Sequence, residues 1–217
     1  MNILCLKAGD KYDHTYVNRL YAMCTKHFDN FDFHCITENS QGINKQIHII
    51  PIPDTNLFKW WHKMWFFNEE WMTLDDVLFL DLDMIIQDKW KIEWNDQISY
   101  LHCDWLDLKR QHQDVMGNRY AYCDINSSIL TWRRSTPRHA VWEDFCRFKE
   151  RIMVLYKATD NYMVNRHHKH YTCMDSSFVH SYWHQNCTTS NKPVILFDGG
   201  KKQHELEEPW IHSQWTE

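Results

Sequence analysis

The chain has 217 residues, of which 43% are hydrophobic and 24% charged, and its formal net charge is -5 at pH 7. This composition is typical of a globular protein with a sizeable core, and it excludes extended disorder and collagen-like repeats. The modest negative charge gives no support for a protein that coats nucleic acid or a membrane surface. No apolar run approaches the roughly 20 residues that a membrane-spanning helix needs, so no transmembrane segment is expected.

Short apolar runs in the first half of the chain alternate with a helical pattern. A helix is predicted from Thr15, because the following apolar residues recur at steps of three and four positions. The aromatic segment 58–71 predicts a second, buried helix. Strands are predicted at residues 2–6, 33–37, 47–51, 77–80 and 84–86. This alternation indicates an α/β fold with a mostly parallel, twisted sheet flanked by helices.

The second half of the chain has a less regular order of elements. Strands are predicted at residues 98–103, 125–132 and 194–197. A long helix is predicted to begin at Thr136, with Pro137 in its first turn. Apolar residues in this helix recur at the spacing of a buried stripe, at Val141, Phe145, Phe148, Ile152 and Leu155. Nothing in the composition divides the chain, so residues 1–217 are predicted to form one domain.

Eight cysteines are spread along the chain without any C-x-x-C pair. Their spacing gives no support for a zinc ribbon or a thioredoxin-like site. The first residues predict a strand and lack a basic and apolar leader, so we expect a cytoplasmic protein whose thiols stay reduced. Few Ala and Gly residues beside many Lys, Asn and Asp residues are typical of an AT-rich genome, such as that of a phage.

Two aspartates, Asp81 and Asp83, directly follow the predicted strand 77–80. Residues two apart in an extended chain point the same way, so both carboxylates can face one point. Two hard oxygen ligands suit Mg²⁺ or Mn²⁺, and diphosphate oxygens can complete the shell. Solvated turn carboxylates produce the same pattern, but open α/β sheets bind ligands at the carboxyl ends of their strands. The position therefore favours a metal-dependent phosphate site.

Several sequence blocks, taken in order, resemble the GT-A glycosyltransferases, and most of all a small bacterial and phage-type branch akin to the glycogenin and galactosyltransferase-like enzymes. The most specific blocks are VLFLDLDMII at 77–86 and the C-terminal block at 197–210. The others are KAGDKYDHTYVNRLY at 7–21, FHCITE at 33–38, WWHK at 60–63, NSSILTW at 126–132, TDN at 159–161 and the pair Ser181-Tyr182. The resemblance covers nearly the whole chain.

The resemblance implies a single GT-A domain of Rossmann-like architecture and a metal-dependent transfer reaction. The sugar would pass from a nucleoside diphosphate sugar, with UDP-sugars favoured, to a hydroxyl group of a glycan, lipid or protein acceptor. Residues 1–103 would form the nucleotide-sugar-binding half, and residues 104–217 the acceptor and C-terminal half. Acceptor contacts would come from the loops 104–124 and 157–190. No nucleic-acid partner is implied.

The resemblance also assigns residues on the donor side. Lys7 and Tyr12 would lie near the nucleotide. Arg19 would pair with the diphosphate or with a local carboxylate. Lys63 would face the donor or the solvent.

Two residues are assigned to the transferred sugar. Asn126 would hold a sugar hydroxyl, since an amide can both donate and accept, or it would close a turn before its strand. Asp160 matches the aspartate of a GDQ-like motif. It would be the general base on the acceptor hydroxyl if the reaction inverts, or else a helix cap.

The metal shell implied by the resemblance departs from the family at one ligand. Asp81 would contact the ribose or the metal, and Asp83 would be the principal ligand of Mn²⁺ or Mg²⁺. The family places a His in an F-H-G run as a further ligand, whereas this chain has Asp198 after Phe197. Asp198 is therefore expected to be the third protein ligand, with His204 as its rival.

The residues after Asp198 would bind the diphosphate. Gly199 and Gly200 would let the backbone approach the phosphates closely. Lys201 and Lys202 would balance the charge that grows as the nucleotide leaves. A surface turn with solvated lysines is the alternative interpretation.

Two other functions stay open from the sequence alone. A nucleotidyltransferase has a similar sheet and a metal, but a Gly-rich loop should follow its first strand, and residues 7–13 contain a single Gly. The other candidate is a carbohydrate- or nucleotide-binding module that lost catalysis together with the family His.

Overall fold

The structure, a computed structural model, describes residues 1–53, 57–103, 105, 123–185 and 190–216. The described strands are β1 (Asn2–Lys7), β2 (Asp32–Thr37), β3 (His48–Pro51), β4 (Val77–Leu80), β5 (Met84–Ile86), β6 (Ile98–His102), β7 (Ile125–Trp132), β8 (Tyr171–Met174), β9 (Val179–Ser181) and β10 (Val194–Leu196). The α-helices are α1 (His14–His27), α2 (His139–Leu155), α3 (Thr159–Arg166) and α4 (Pro209–Gln214). Two 3₁₀ segments span Lys59–Phe67 and Gln203–Glu205.

Seven of these strands form the central sheet, in the order β3-β2-β1-β4-β7-β6-β8. Strand β7 pairs antiparallel with both of its neighbours, and every other pair described in this sheet is parallel. The predicted α/β fold with a mostly parallel sheet flanked by helices is therefore confirmed. Because β1 and β4 are adjacent and parallel, their carboxyl ends meet at the same edge of the sheet.

A smaller sheet, in the order β5-β10-β9, brings the C-terminal part of the chain beside the segment that follows β4. Strand β10 pairs antiparallel with β5, so that Leu196 lies opposite Met84. One residue further on, the backbone N–H of Phe197 donates to the carbonyl oxygen of Asp83 at 2.9 Å. This pairing places the residues after β10 next to the two aspartates, although the two segments are far apart in the chain.

Aromatic rings pack the 3₁₀ segment Lys59–Phe67 against the central sheet and α2. The ring of Trp61 stacks on Phe145, with 5.8 Å between the centroids. Phe66 lies 4.7 Å from Phe79 and 5.4 Å from Trp132, again between ring centroids. Aromatic pairs contribute about 0.5–1.5 kcal/mol each beyond the area that they bury. The segment is therefore fixed firmly against the sheet.

Helix α1 begins one residue before the predicted Thr15. Its N-cap is Asp13, whose Oδ1 accepts a hydrogen bond from the Thr15 backbone N–H at 3.0 Å. The cap satisfies one of the free N–H groups of the first turn and so fixes where the preceding loop ends. The predicted stripe is buried at Val17, Leu20 and Cys24.

Two helix predictions are wrong in detail. The segment 58–71 forms a 3₁₀ helix over Lys59–Phe67, and Lys59 has a positive φ of 53° at its start. The long helix begins at His139, because the Thr136 hydroxyl instead accepts from the Arg133 backbone in the preceding turn at 3.0 Å. Phe148 has non-helical angles inside α2, which breaks the predicted stripe.

Strands β8 and β9 and helix α3 were not predicted from the sequence. Strand β8 is an edge strand whose Cys173 is exposed, so it has no continuous apolar run. The loop predicted at 104–124 falls mostly outside the described residues, and so does Cys187. The seven cysteines in the described part of the chain are free. No described helix has the length and apolar character needed to span a bilayer.

Candidate active site

A cavity of about 550 Å³ opens at the carboxyl ends of β1 and β4. Asp81 and Asp83 both line it, as the spacing predicted, and Leu82 between them is 2% exposed. The end of β1, the loop after it and the 3₁₀ segment add Leu6, Ala8, Lys11, Tyr12, Lys59, Trp60 and Lys63 to the lining. The cavity lies where open α/β sheets bind their ligands.

Lys63 is tied to Asp81 on one wall of the cavity. Its ammonium lies 2.8 Å from Asp81 Oδ2 and also donates to the carbonyl and the hydroxyl oxygen of Ser127, at 3.1 and 3.0 Å. Burial raises the pKa of Asp81, the Lys63 ammonium opposes the rise, and the nearby Asp83 adds to it. The solvated alternative for Lys63 is excluded, because the residue is only 7% exposed.

Asp83 has two described partners, Tyr12 and Lys202. The hydroxyl of Tyr12 donates to Asp83 Oδ2 at 2.9 Å, and the ammonium of Lys202 lies 2.7 Å from the same oxygen. Burial, followed by the Asp83 carboxylate, raises the pKa of Tyr12 far above its ordinary value, so its hydroxyl stays protonated and donates. Lys202 also donates to the carbonyl oxygen of Phe197.

Ser127 contacts both Asp160 and Lys63 and so connects the two residues. Its backbone N–H donates to Asp160 Oδ2 at 3.1 Å, in the irregular part of β7. Asp160 lies in the first turn of α3, and the N-cap is Ala158, so the cap interpretation of Asp160 is wrong. Asn126 accepts from the backbone N–H of Ser128 at 2.7 Å, as an Asn that closes a turn would do.

Asp198 and His204 have partners of their own. Asp198 accepts from the indole N–H of Trp105 at 2.9 Å and from the hydroxyl of Ser181 at 2.5 Å, and burial raises its pKa. His204 Nδ1 contacts the hydroxyl of Tyr16. Among the described contacts, neither residue pairs with either carboxylate that lines the cavity.

The two glycines accommodate a tryptophan ring. A Cβ at Gly200 would lie 2.9 Å from the ring of Trp183, and Gly199 has a φ of 148°. The indole N–H of Trp183 donates to the carbonyl oxygen of Lys201 at 3.1 Å. The described neighbour of these glycines is therefore this ring, and the predicted approach of their backbone to the phosphates stays a prediction. Lys201 itself is exposed.

Lys7 and Arg19 lie on β1 and α1, close to the predicted nucleotide side. Lys7 ends β1 and is 7% exposed. The Arg19 guanidinium lies 4.0 Å from the ring centroid of Trp215, a cation–π contact that stabilises the packing of the C-terminus. The described partner of Arg19 is therefore this ring, and a contact of Arg19 with the diphosphate stays a prediction.

Four residues of the site were not assigned to it individually from the sequence: Lys11, Lys59, Ser127 and Ser128. Lys11 and Lys59 line the cavity, and burial lowers the pKa of Lys11. The Ser128 carbonyl accepts from the Asp81 backbone N–H at 2.8 Å. The matched blocks KAGDKYD and NSS contain Lys11, Ser127 and Ser128, and Lys59 directly precedes the WWHK block, but nothing in these blocks indicates which polar atoms face the cavity.

The donor set offers a divalent ion, which the resemblance implies, two carboxylates in the cavity lining. Asp81 and Asp83 are suitable oxygen ligands, but an ammonium group already contacts Oδ2 of each. Among the described residues, no group of three or more His, Cys, Asp and Glu side chains is placed to hold a metal. The set of Asp81, Asp83, Asp198 and His204 therefore does not fit a divalent ion as it stands, and the metal site stays a prediction.

Solved glycosyltransferases resemble this chain in structure. LgtC, a galactosyltransferase solved with donor and acceptor sugar analogs, has a TM-score of 0.67 at 15% identity, over 99% of this chain and 92% of its own. GlyE of Streptococcus pneumoniae TIGR4 has a TM-score of 0.65 at 11% identity, over 99% of this chain and 60% of its own. WbbM, a bifunctional glycosyltransferase, has a TM-score of 0.61 at 9% identity, over 98% of this chain and 50% of its own.

The sequence by itself matches no family model and no curated protein. The likeness is therefore one of structure, and at these identities it establishes the fold. The chain has the GT-A fold, as the sequence blocks implied.

Proposed function

We propose that this protein is a glycosyltransferase that moves a sugar from a nucleoside diphosphate sugar to an acceptor hydroxyl. The observation that carries the proposal is the cavity at the ends of β1 and β4, where Asp81 and Asp83 each contact a lysine ammonium on a GT-A fold. A cavity of this size can bury most of a small ligand. Its mixed charges suit a ligand that has both hydroxyl groups and a diphosphate.

The reaction breaks the bond between the anomeric carbon and the diphosphate oxygen and forms one to the acceptor oxygen. Negative charge grows on the leaving diphosphate, so cations fixed beside it stabilise the transition state. The sequence assigns this charge to Mn²⁺ or Mg²⁺ on Asp81 and Asp83. The structure adds Lys63 and Lys202 as cations at the same carboxylates.

Asp160 is the candidate for the proton acceptor. The Ser127 N–H holds its Oδ2 beside the Lys63 wall, which fixes the carboxylate while leaving lone pairs free. In a single in-line displacement it would take the proton of the acceptor hydroxyl. A double displacement, which retains the configuration, would need no such base at this position.

The acceptor would be a hydroxyl group of a glycan, lipid or protein. Trp60 lines the cavity and is 40% exposed, so it offers an aromatic face at the cavity mouth.

The free cysteines support a compartment that keeps thiols reduced, such as the cytoplasm.

We expect UDP to bind more tightly than GDP. The resemblance of residues 7–21 favours uracil, and the Gly9 backbone N–H donates to Glu38 Oε1 at 2.7 Å. That bond joins the loop after β1 to the residue that follows β2. It limits how far the loop can move away from the cavity to admit a purine, which has two rings. Calorimetric titration of both nucleotides, with and without Mn²⁺, measures the preference. Tighter binding of GDP would refute the uridine assignment, and failure of both to bind would refute the proposed function.

A further inference from the structure

Lys202 is held in a fixed position beside Asp83. Its ammonium lies 2.7 Å from Asp83 Oδ2, contacts the carbonyl oxygen of Phe197, and belongs to a side chain that is 10% exposed. A buried lysine needs partners of this kind, because an unpaired buried charge is very costly. The carboxylate that the sequence assigns as principal metal ligand thus already has a cation.

The chain around Lys202 is fixed by local hydrogen bonds and by one bond to the segment after β4. The Lys202 backbone N–H donates to Glu205 Oε2 at 2.7 Å, and the Glu205 N–H donates back to the Lys202 carbonyl at 2.9 Å. The fully buried Gln203 donates from its amide to the Met84 carbonyl oxygen at 3.2 Å. Lys202 is therefore not a mobile surface lysine that happens to reach an aspartate.

The two lysines of the site differ in how many donors they have used. An ammonium group has three N–H donors. Lys63 donates all three to protein atoms, namely Asp81 Oδ2 and the two oxygens of Ser127. The described contacts of Lys202 take two, on Asp83 Oδ2 and the Phe197 carbonyl. The third is available to a ligand oxygen.

The charge balance of the site is already positive. Lys11, Lys59 and Lys63 line the cavity and Lys202 pairs with Asp83, so four lysines lie at or beside a cavity that is lined by two aspartates. Such an excess suits a diphosphate. A divalent ion added to the same site would raise the excess further and would compete with both lysines for the aspartate oxygens.

We propose that Lys202 takes the place of the divalent ion, contacting the diphosphate with its third N–H, so that donor binding does not require a metal. This inference rests on the proposed function. Asp83 then positions the ammonium and acts through it, and Lys11, whose ammonium lies 4.6 Å from the ring centroid of Tyr12, adds positive charge near the same aspartate.

Calorimetric titration of UDP into the full chain, in EDTA and in Mn²⁺, tests the inference. We expect dissociation constants that agree within about twofold in the two buffers. Affinity that is lost in EDTA and restored by Mn²⁺ would overturn the inference while leaving the transferase proposal intact. No binding in either buffer would overturn both.

Two variants separate the roles of Lys202 and Asp83. Lys202→Met should weaken UDP binding in EDTA by roughly tenfold or more, the scale of one charge-assisted hydrogen bond. Asp83→Asn keeps an oxygen that accepts from Lys202 and removes the competing charge, so its affinity in EDTA should equal or exceed that of the wild type. A metal ligand at Asp83 predicts a loss of UDP binding for Asp83→Asn in Mn²⁺, the buffer in which a metal-dependent wild type would bind.

Lys26→Met removes an exposed lysine at the far end of α1 and is the matched control, for which no change is expected. If Lys202→Met melts early, Asp83→Asn still decides the question, because it keeps the ammonium and the shape of the side chain. Loss of UDP binding in a folded Asp83→Asn variant would contradict the inference.

Discussion

Replacing Lys63 by methionine should lower the free energy of unfolding by about 2–4 kcal/mol and reduce donor turnover by roughly a hundredfold. The ammonium has three protein contacts, and its loss leaves Asp81 and the Ser127 oxygens without their partner. The Asp81 side chain is 25% exposed, which keeps the loss below that of a fully buried pair. Urea denaturation measures the stability, and nucleotide release from the donor measures the turnover. The melting temperature should fall by roughly 5–10 °C.

The double variant Lys63→Met with Asp81→Leu is the informative control. It removes both charges, so no buried carboxylate is left unpaired, and much of the lost stability should return. Turnover should not return, because Asp81 is missing from the cavity. A single variant Lys63→Met whose stability stays within about 0.5 kcal/mol of the wild type would show that the pair is not a structural support of the site.

Asp160→Asn should lower the transfer rate by roughly a hundredfold or more while UDP affinity changes by less than about twofold. The amide oxygen can still accept from the Ser127 N–H, so the wall of the cavity keeps its shape. The amide cannot take a proton from the acceptor hydroxyl, and the rate of an inverting reaction depends on that step. Transfer rates at saturating donor, together with calorimetry of UDP, separate the two effects.

Asp88→Asn, on an exposed turn after β5, controls for the loss of one carboxylate. A rate for Asp160→Asn within about tenfold of the wild type would exclude Asp160 as the base.

The parts of the fold that could be predicted are those with a local signal. The strand Val77–Leu80 is fully buried, so its apolar run is continuous, and the aspartates after it could be placed at a sheet edge before the structure was known. Lys63 was assigned through the WWHK block, and the structure places it in the cavity lining.

The parts that could not be predicted depend on contacts between distant segments. Asp198 accepts from Trp105 and Ser181, and nothing in the F-D-G run names either partner. Lys202 reaches Asp83 only because β10 pairs with β5, and strands of three residues have too few side chains to predict their register. The sequence could therefore indicate a diphosphate site but not which cation lies at it.

A donor screen tests the central claim most directly. The wild-type protein is incubated with UDP-, GDP- and dTDP-sugars and a mixture of hydroxyl acceptors, and released nucleoside diphosphate is measured, with Lys63→Met as the background. We predict nucleotide release from at least one UDP-sugar, well above the rate of the variant. Release from none of the donors, together with no binding of the free nucleotides, would contradict the assignment of this cavity as a nucleotide-sugar site.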